Sequence, residues 1–240
     1  MSFQLSARAY MSAPISVVIP TFNSECQLPK TLWSLMEGVD AGLIREVIIS
    51  DGGSTDGTQS IAIKWGAEFV SGDASRGRQL RQGVAKTCGA LLLIVHSDTI
   101  LEAGWASELK SKLSDGPSCF SLAFRASGIA PFLVAFWANV RTDWLRLPFG
   151  DQVLFLSREE YDMAGGYPDQ RLMEDVALVI ALTAPVKRMR SRAYTSSEKY
   201  QTQGWIYRGS KNLILLVRYL LGTEPDVLAR SYYRPSDGPN

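Results

Sequence analysis

Histidine occurs once in the chain, at His96. That scarcity excludes any site needing two or three imidazoles, and any Ser-His or Cys-His system would have to be built on that single ring. Acid–base chemistry therefore falls mainly to carboxylates. Cysteine is also sparse: Cys26, Cys88 and Cys119 lie far apart with no C-x-x-C spacing. This argues against a zinc ribbon, a redox motif or a disulfide scaffold and makes a reduced, cytoplasmic setting the expected one. Excess charge is missing too. With 25 basic and 24 acidic residues and a net charge of +1, no global field draws in nucleic acid or an anionic membrane, so any anion must be met locally. Long apolar runs are absent as well. The longest, Leu213 to Leu221, is interrupted by Arg218 and falls far short of the ~20 residues of a membrane span. The leader Met1 to Ala13 carries one arginine and no apolar stretch of signal-peptide length. Residues 1–13 and 234–240 read as flexible ends.

What is present, 240 residues of which 46% are hydrophobic, suits one large core, and residues 1–240 read as a single domain. The first half alternates short β-branched runs with helix-period segments, the pattern of βαβ units feeding a parallel sheet. Ile15 to Ile19 reads as a buried strand ended by Pro20, and Leu28, Leu32, Leu35, Met36 and Val39 recur at helical spacing. Strands are expected at Glu46 to Ser50 and Glu68 to Val70, with helices over Thr55 to Trp65 and around Leu80, Val84 and Cys88. Leu91 to Val95, the most apolar strand, should lie at the centre of the sheet. Beyond it, strands are expected at Cys119 to Phe124, at Val153 to Leu156 opened by Gly150-Asp151-Gln152, and at Val186 to Arg190. Helices are expected at Ala130 to Leu147, Glu174 to Thr183 and Gly209 to Leu221. The apolar face of the last of these reads as core, with a membrane or a second copy in a homodimer as alternatives.

Three polar clusters close three strands: Thr21 to Glu25, Asp51 to Asp56 and His96 to Asp98. Open α/β sheets bind ligands beyond the carboxyl ends of their strands, so the convergence predicts a cleft. Within it, Asp56 reads as a helix-start acid. Asp51 precedes the cap, where a carboxylate can accept from a ribose or base while Gly52 and Gly53 let the ligand approach. Arg76, Arg78 and Arg81 crowd a helix start, where cations and backbone N–H groups together suit a pyrophosphate; Arg78 is the first choice. Asp98 is the candidate ligand of Mg2+ or Mn2+, cations that prefer oxygen and take few ligands from the protein. His96 reads as a structural partner rather than a second ligand. Glu174 and Asp175 open an apolar helix. They serve its dipole at least, and if the helix start faces the cleft one of them can act as a general base.

In order along the chain, Ile15-Ser-Val-Val-Ile-Pro-Thr-Phe-Asn23, Asp51-Gly-Gly-Ser-Thr-Asp-Gly-Thr58, His96-Ser-Asp-Thr99, Gly165-Gly-Tyr-Pro168 and Met173-Glu-Asp175 resemble family 2 glycosyltransferases of the GT-A fold. Several motifs in order are far more specific than any one. Arg76-Gly-Arg-Gln79, Gly150-Asp-Gln152 and Leu172-Met-Glu-Asp175 narrow the likeness to a small soluble subfamily named, from gene neighbourhood, after arsenosugar biosynthesis. The resemblance implies a Rossmann-like, mostly parallel sheet with helices on both faces and a mixed C-terminal acceptor half. It implies a UDP- or GDP-sugar donor bound by Pro20, Thr21, Asn23, Asp51, Gly52, Arg78, Ser97 and Asp98, a divalent cation on Asp98, and Asp175 as the base of inverting transfer with Glu174 in reserve. Gly150, Asp151 and Gln152 would border the acceptor or the donor sugar; the acceptor itself is left open.

The chain also departs from the pattern. His96 stands where a DxD-like motif has its first acid, Arg81 and Ala90 replace an Asn and an acid, and Gln201 to Trp205 lacks the processive Gln-x-x-Arg-Trp motif. Two other functions remain open at this level: a nucleotidyltransferase acting on a sugar phosphate, which would release pyrophosphate, and a catalytically silent sugar-nucleotide-binding protein.

Overall fold

A computed structural model describes residues 13–233; most of the two ends read as flexible lies outside them. Ala13, counted with the leader, is instead buried. The strands are β1 (Ile15–Thr21), β2 (Ile44–Asp51), β3 (Glu68–Ser71), β4 (Leu91–Ile94), β5 (Ile100–Leu101), β6 (Ser118–Phe124), β7 (Leu154–Ser157) and β8 (Lys187–Thr195). They form one sheet in the order β3-β2-β1-β4-β7-β6-β8-β5. The β3-β2-β1-β4 half is parallel. The remainder is mixed, with β7 antiparallel to β4 and β6, β5 antiparallel to β8, and β6 parallel to β8. This is the expected α/β, GT-A-like arrangement, and β4 takes the central place predicted for it.

The helices are α1 (Leu28–Asp40), α2 (Thr58–Trp65), α3 (Arg76–Lys86), α4 (Trp105–Lys110), α5 (Ile129–Leu145), α6 (Arg158–Met163), α7 (Glu174–Ala181), α8 (Glu198–Gln203), α9 (Trp205–Leu220) and α10 (Pro225–Tyr232). Both faces of the parallel half are covered, so alternate residues of β1 enter different cores. Ile15, Val17 and Ile19 pack with Leu28, Leu32 and Trp105, whereas Val18 packs with Leu80, Val84 and Leu178. That is why β1 and β4 read as continuous apolar runs rather than alternating ones. Each such buried aliphatic side chain stabilises the fold by roughly 1.5–3 kcal/mol.

Five expectations need correction. Pro20 does not end β1, which continues to Thr21 paired with β2. Ile15 N and Thr21 O bond on the β2 side and Val18 O on the β4 side, so by alternation Pro20 turns its missing N–H toward β4, where the ladder has already ended at Val18 and Ile94. Helix α2 starts at Thr58 rather than Thr55, because Asn23 Oδ1 and Glu25 Oε2 accept from Thr55 N and Gly57 N and hold the preceding turn open. Gly150–Gln152 forms a tight 3-10 turn instead of opening β7. Strand β8 runs on to Thr195, its buried Met189, Ala193 and Thr195 alternating with arginines that mask the period. Finally, the apolar face of the Gly209 to Leu221 segment is not core: Leu215 and Leu216 are buried, but Leu213, Ile214, Val217 and Leu220 are exposed.

Candidate active site

The order of strands reverses direction about β1, whose successors β2 and β4 lie on opposite sides of it. A crevice opens at such a switch point beyond the carboxyl ends of the strands. Here it is a cavity of about 830 Å³ lined by Pro20 to Ser24 after β1, His96 to Asp98 after β4, Ala74 to Arg76 at the start of α3, Gly150 and Asp151, Arg171 to Asp175 at the start of α7, and residues of α8, α9 and α10. Of the residues singled out from the sequence, Pro20, Thr21, Asn23, Ser97, Asp98, Gly150, Asp151, Glu174 and Asp175 meet there.

Four others do not. Asp51, expected against a ribose or base, is 1% exposed, and its carboxylate is taken up inside the protein. Oδ1 accepts from Thr21 Oγ1 (2.7 Å) and Ser54 Oγ (2.5 Å), and Oδ2 from Gly53 N (2.9 Å) and Ser54 N (2.6 Å). Four donors occupy both oxygens, so Asp51 shapes the turn and orients Thr21. Gly52 backs onto the side chain of Gln79, which lines the cavity and whose Nε2 donates to Thr21 O and Ser50 O. Arg78 points outward and pairs with Asp73 (2.8 Å) and Asp169 (2.9 Å); Arg76, two residues earlier on the helix, takes the place in the cavity wall. Gln152 is fully buried, its Oε1 accepting from Thr142 Oγ1 (2.8 Å) and Arg141 Nη2 (3.2 Å) and its Nε2 donating to Phe120 O (3.3 Å). It braces the turn that carries Asp151.

The charged groups of the floor are tightly coupled. Arg76 Nε lies 3.1 Å from Glu174 Oε1, and its Nη2 lies 2.6 Å from His96 Nε2 and 2.9 Å from Nδ1. Burial, and then the Arg76 charge, hold the imidazole well below its usual range, so His96 is neutral. Burial pushes the Glu174 carboxyl up while Arg76 pulls it down; the pair occupies Glu174 and leaves Asp175 as the freer acid. Asp175 Oδ2 accepts from Gly150 N (2.5 Å) and Oδ1 from Val176 N (2.8 Å). One donor on each oxygen leaves lone pairs for a ligand.

Asp151 is unlike the rest. Its Oδ1 is buried and has no hydrogen-bond partner. Desolvation raises its carboxyl to about 6, with Arg141 opposing and Asp175 and Asp98 adding to the rise. The backbone that presents these acids is strained: Val153, β-branched, has φ 55°, and Met173, just before Glu174, has φ 63°. Such positions persist where the surroundings over-determine them, as at ligand sites.

Sequence reading missed the wall built by the C-terminal helices: Lys199 and Tyr200 of α8, Arg208, Asn212 and Leu215 of α9, and Tyr232 and Tyr233. Arg208, a buried cation bonded to Gln203 and the Tyr232 hydroxyl, belongs to that wall. Among the described residues no group of three or more His, Cys, Asp or Glu side chains converges as a metal cage.

The stretch 36% identical to glucosyl-3-phosphoglycerate synthase of Mycobacterium tuberculosis is 95 residues long and covers 36% of this chain and 29% of that protein. The Mycolicibacterium smegmatis synthase is 35% identical over 98 residues, covering 36% and 31%. The match thus spans under a third of these relatives' length. Among solved structures, the M. tuberculosis synthase with Mn2+, UDP and glucosyl-3-phosphoglycerate superposes with a TM-score of 0.57 at 21% identity, over 90% of this chain and 83% of that one. A mannosyltransferase from Pyrobaculum calidifontis with GDP-Man and Mn2+ gives 0.63 at 16% identity, over 93% and 70%. At such identities the likeness carries the fold. Residues 16–174 match the family model described as glycosyl transferase family 2, and the chain belongs to that family.

Proposed function

We propose that the chain transfers a sugar from a nucleoside-diphosphate sugar to an acceptor hydroxyl, with inversion and with the help of a divalent cation. The observation that carries this reading is the meeting of Asp98, Asp151 and Asp175 on one cavity at the switch point of the sheet, with Arg76 in its wall. UDP and GDP-Man, each bound with Mn2+ in one of the two solved neighbours, are the donor chemistries to try first. The finer likeness to the arsenosugar-named subfamily stays part of this proposal and names no substrate.

The residues fit a cation of the Mg2+ or Mn2+ kind. Asp98 lines the cavity, and none of the hydrogen bonds or ion pairs among the described residues uses its carboxylate. A single protein carboxylate suits a cation that takes its other oxygens from phosphates and water. When bound on Asp98, such an ion neutralises charge developing on the leaving diphosphate.

The chain's own groups supply the rest. Thr21 and Asn23, held by Asp51 and the Ser54 turn, border the nucleoside end. Asp175, positioned by Gly150 N and Val176 N, takes the proton from the attacking hydroxyl. Asp151 accepts from a hydroxyl of the sugar, which fills the gap at its unpartnered oxygen. Lys199, Arg171 and Arg208 also line the cavity and favour an acceptor that carries an anionic group, in keeping with the glucosyl-3-phosphoglycerate bound in the solved synthase.

A product assay with UDP-glucose or GDP-mannose and Mn2+ should release nucleoside diphosphate; pyrophosphate release from a nucleoside triphosphate would instead identify a nucleotidyltransferase. Asp175→Asn should lower kcat by about 10²- to 10⁴-fold while calorimetry shows donor affinity unchanged. Near-normal turnover by that variant would remove Asp175 from the role of base.

A further inference from the structure

Helices α5 and α9 pack against each other at Val134 and Gly209, and their outer sides are apolar. On α5, Ile129, Leu133, Phe136, Trp137 and Trp144 follow one another at helical spacing, yet they are 49–83% exposed apart from Leu133 at 47%. Only Pro131 and Thr142 of that 17-residue helix are buried. On α9, Ile206, Leu213, Ile214, Val217 and Leu220 form a second stripe, 47–83% exposed. Scattered exposed apolar residues are ordinary, but two adjoining helices with continuous apolar stripes mark an interaction surface.

The charge around these stripes selects the partner. Helix α9 carries no acid, and Arg218 stands in its last turn, although the whole chain is almost neutral. At about 100° per residue, Arg218 falls on one edge of the apolar arc, beside Ile214. Arg146 is exposed at the end of α5. The one acid of α5, Asp143, is committed to Arg188 at 2.7 and 2.8 Å. A second copy of the chain therefore brings no free carboxylate on either helix to meet these cations, whereas an anionic lipid surface does. Trp137, Trp144 and Tyr207, all exposed on the two helices, have the apolar body and polar tip that settle at headgroup depth. We propose that the α5–α9 face docks peripherally on an anionic lipid bilayer, with the two helices lying in the interface plane. Neither helix is long and apolar enough to cross a membrane. The opposite side of α9 contributes Arg208, Asn212 and Leu215 to the cavity.

The test is co-sedimentation of the full chain with phosphatidylcholine vesicles, with and without phosphatidylglycerol. Binding is expected to the anionic vesicles and to weaken as salt is raised. Ile214→Ser should weaken it roughly tenfold, the loss of one buried aliphatic side chain, and Arg218→Glu should weaken it on anionic vesicles while leaving circular dichroism unchanged. Neither residue lines the cavity. Recovery of the wild-type chain in the supernatant with both kinds of vesicle would overturn the proposal. So would a dimer in analytical ultracentrifugation that Ile214→Ser converts to monomer while vesicle binding is absent.

Discussion

Asp151 is buried in the cleft with an unpartnered oxygen, and that burial has a cost with a sign in pH. Its carboxyl stands at about 6 in the fold against about 3.9 in an unfolded chain. Below pH 4 it is protonated in both states and costs nothing. Between about pH 4 and 6 the unfolded state ionises first, so stability falls as pH rises, and above 6 the penalty is constant at up to about 3 kcal/mol. Asp151→Asn should therefore raise unfolding stability near neutral pH, with the advantage over wild type shrinking as pH falls through 6 toward 4. Urea denaturation at several pH values checks this, and an advantage that grows on acidification would contradict it. The sequence showed which residues converge but not what each does. Asp98 and Asp175 were legible as cavity residues because a strand end and a helix start fix their position, whereas Asp151, set on a 3-10 turn, came only from the resemblance. Asp51 and Arg78 turn away from the cavity because each is occupied by a partner from its own neighbourhood, Ser54 or Asp73, and by one from another turn, Thr21 or Asp169, whose packing no local pattern reveals.

Elements meet the site through backbone contacts that tolerate only glycine. At Gly77, in the first turn of α3, a Cβ would collide with the carbonyl oxygen of Pro168 and stand 2.8 Å from that of Gln170, and Gly77 N already donates to Gln170 O at 3.1 Å. This contact locks the helix that carries Arg76 to the loop that leads into Glu174 and Asp175. Gly77→Ala must push two backbone carbonyls aside, at a cost of about 1–3 kcal/mol, and should lower transfer with the stability because both sides of the Arg76–Glu174 pair move. Equilibrium denaturation alongside kcat/KM measures both; unchanged values would mean that the 168–170 loop gives way freely. At this scale the apolar, two-face-buried strands were readable, since burial on both sides leaves one unambiguous signal. Short amphipathic pieces such as α4, α6 and α10 were not, because a helix of two turns contributes too few apolar positions to set a period. Strand β8 was cut short for the opposite reason: its arginines are paired across space, Arg188 with Asp143 and Arg192 with Glu102, which sequence alone reads as a solvated run.

The whole molecule divides into an N-terminal half, whose parallel sheet follows from βαβ patterning, and a C-terminal half, whose mixed pairing and outer helices depend on long-range contacts. The cleft lies between the ends of both, so a ligand bound there ties β1, β4 and α7 to α9 and α10. Binding to the folded state alone raises stability by RT ln(1 + [L]/Kd), about 2.7 kcal/mol at a hundredfold excess over Kd. For a chain of this size that corresponds to a shift in Tm of roughly 5–10 °C. UDP or GDP with Mn2+ should produce such a shift, and either nucleotide without a divalent cation a smaller one. Asp98→Asn should abolish the difference between the two conditions while keeping the metal-free shift, because the proposed contacts of the nucleoside end are Thr21 and Asn23 instead. A variant that responds to Mn2+ as the wild type does would place the cation elsewhere in the cavity, with Asp151 the next carboxylate to test.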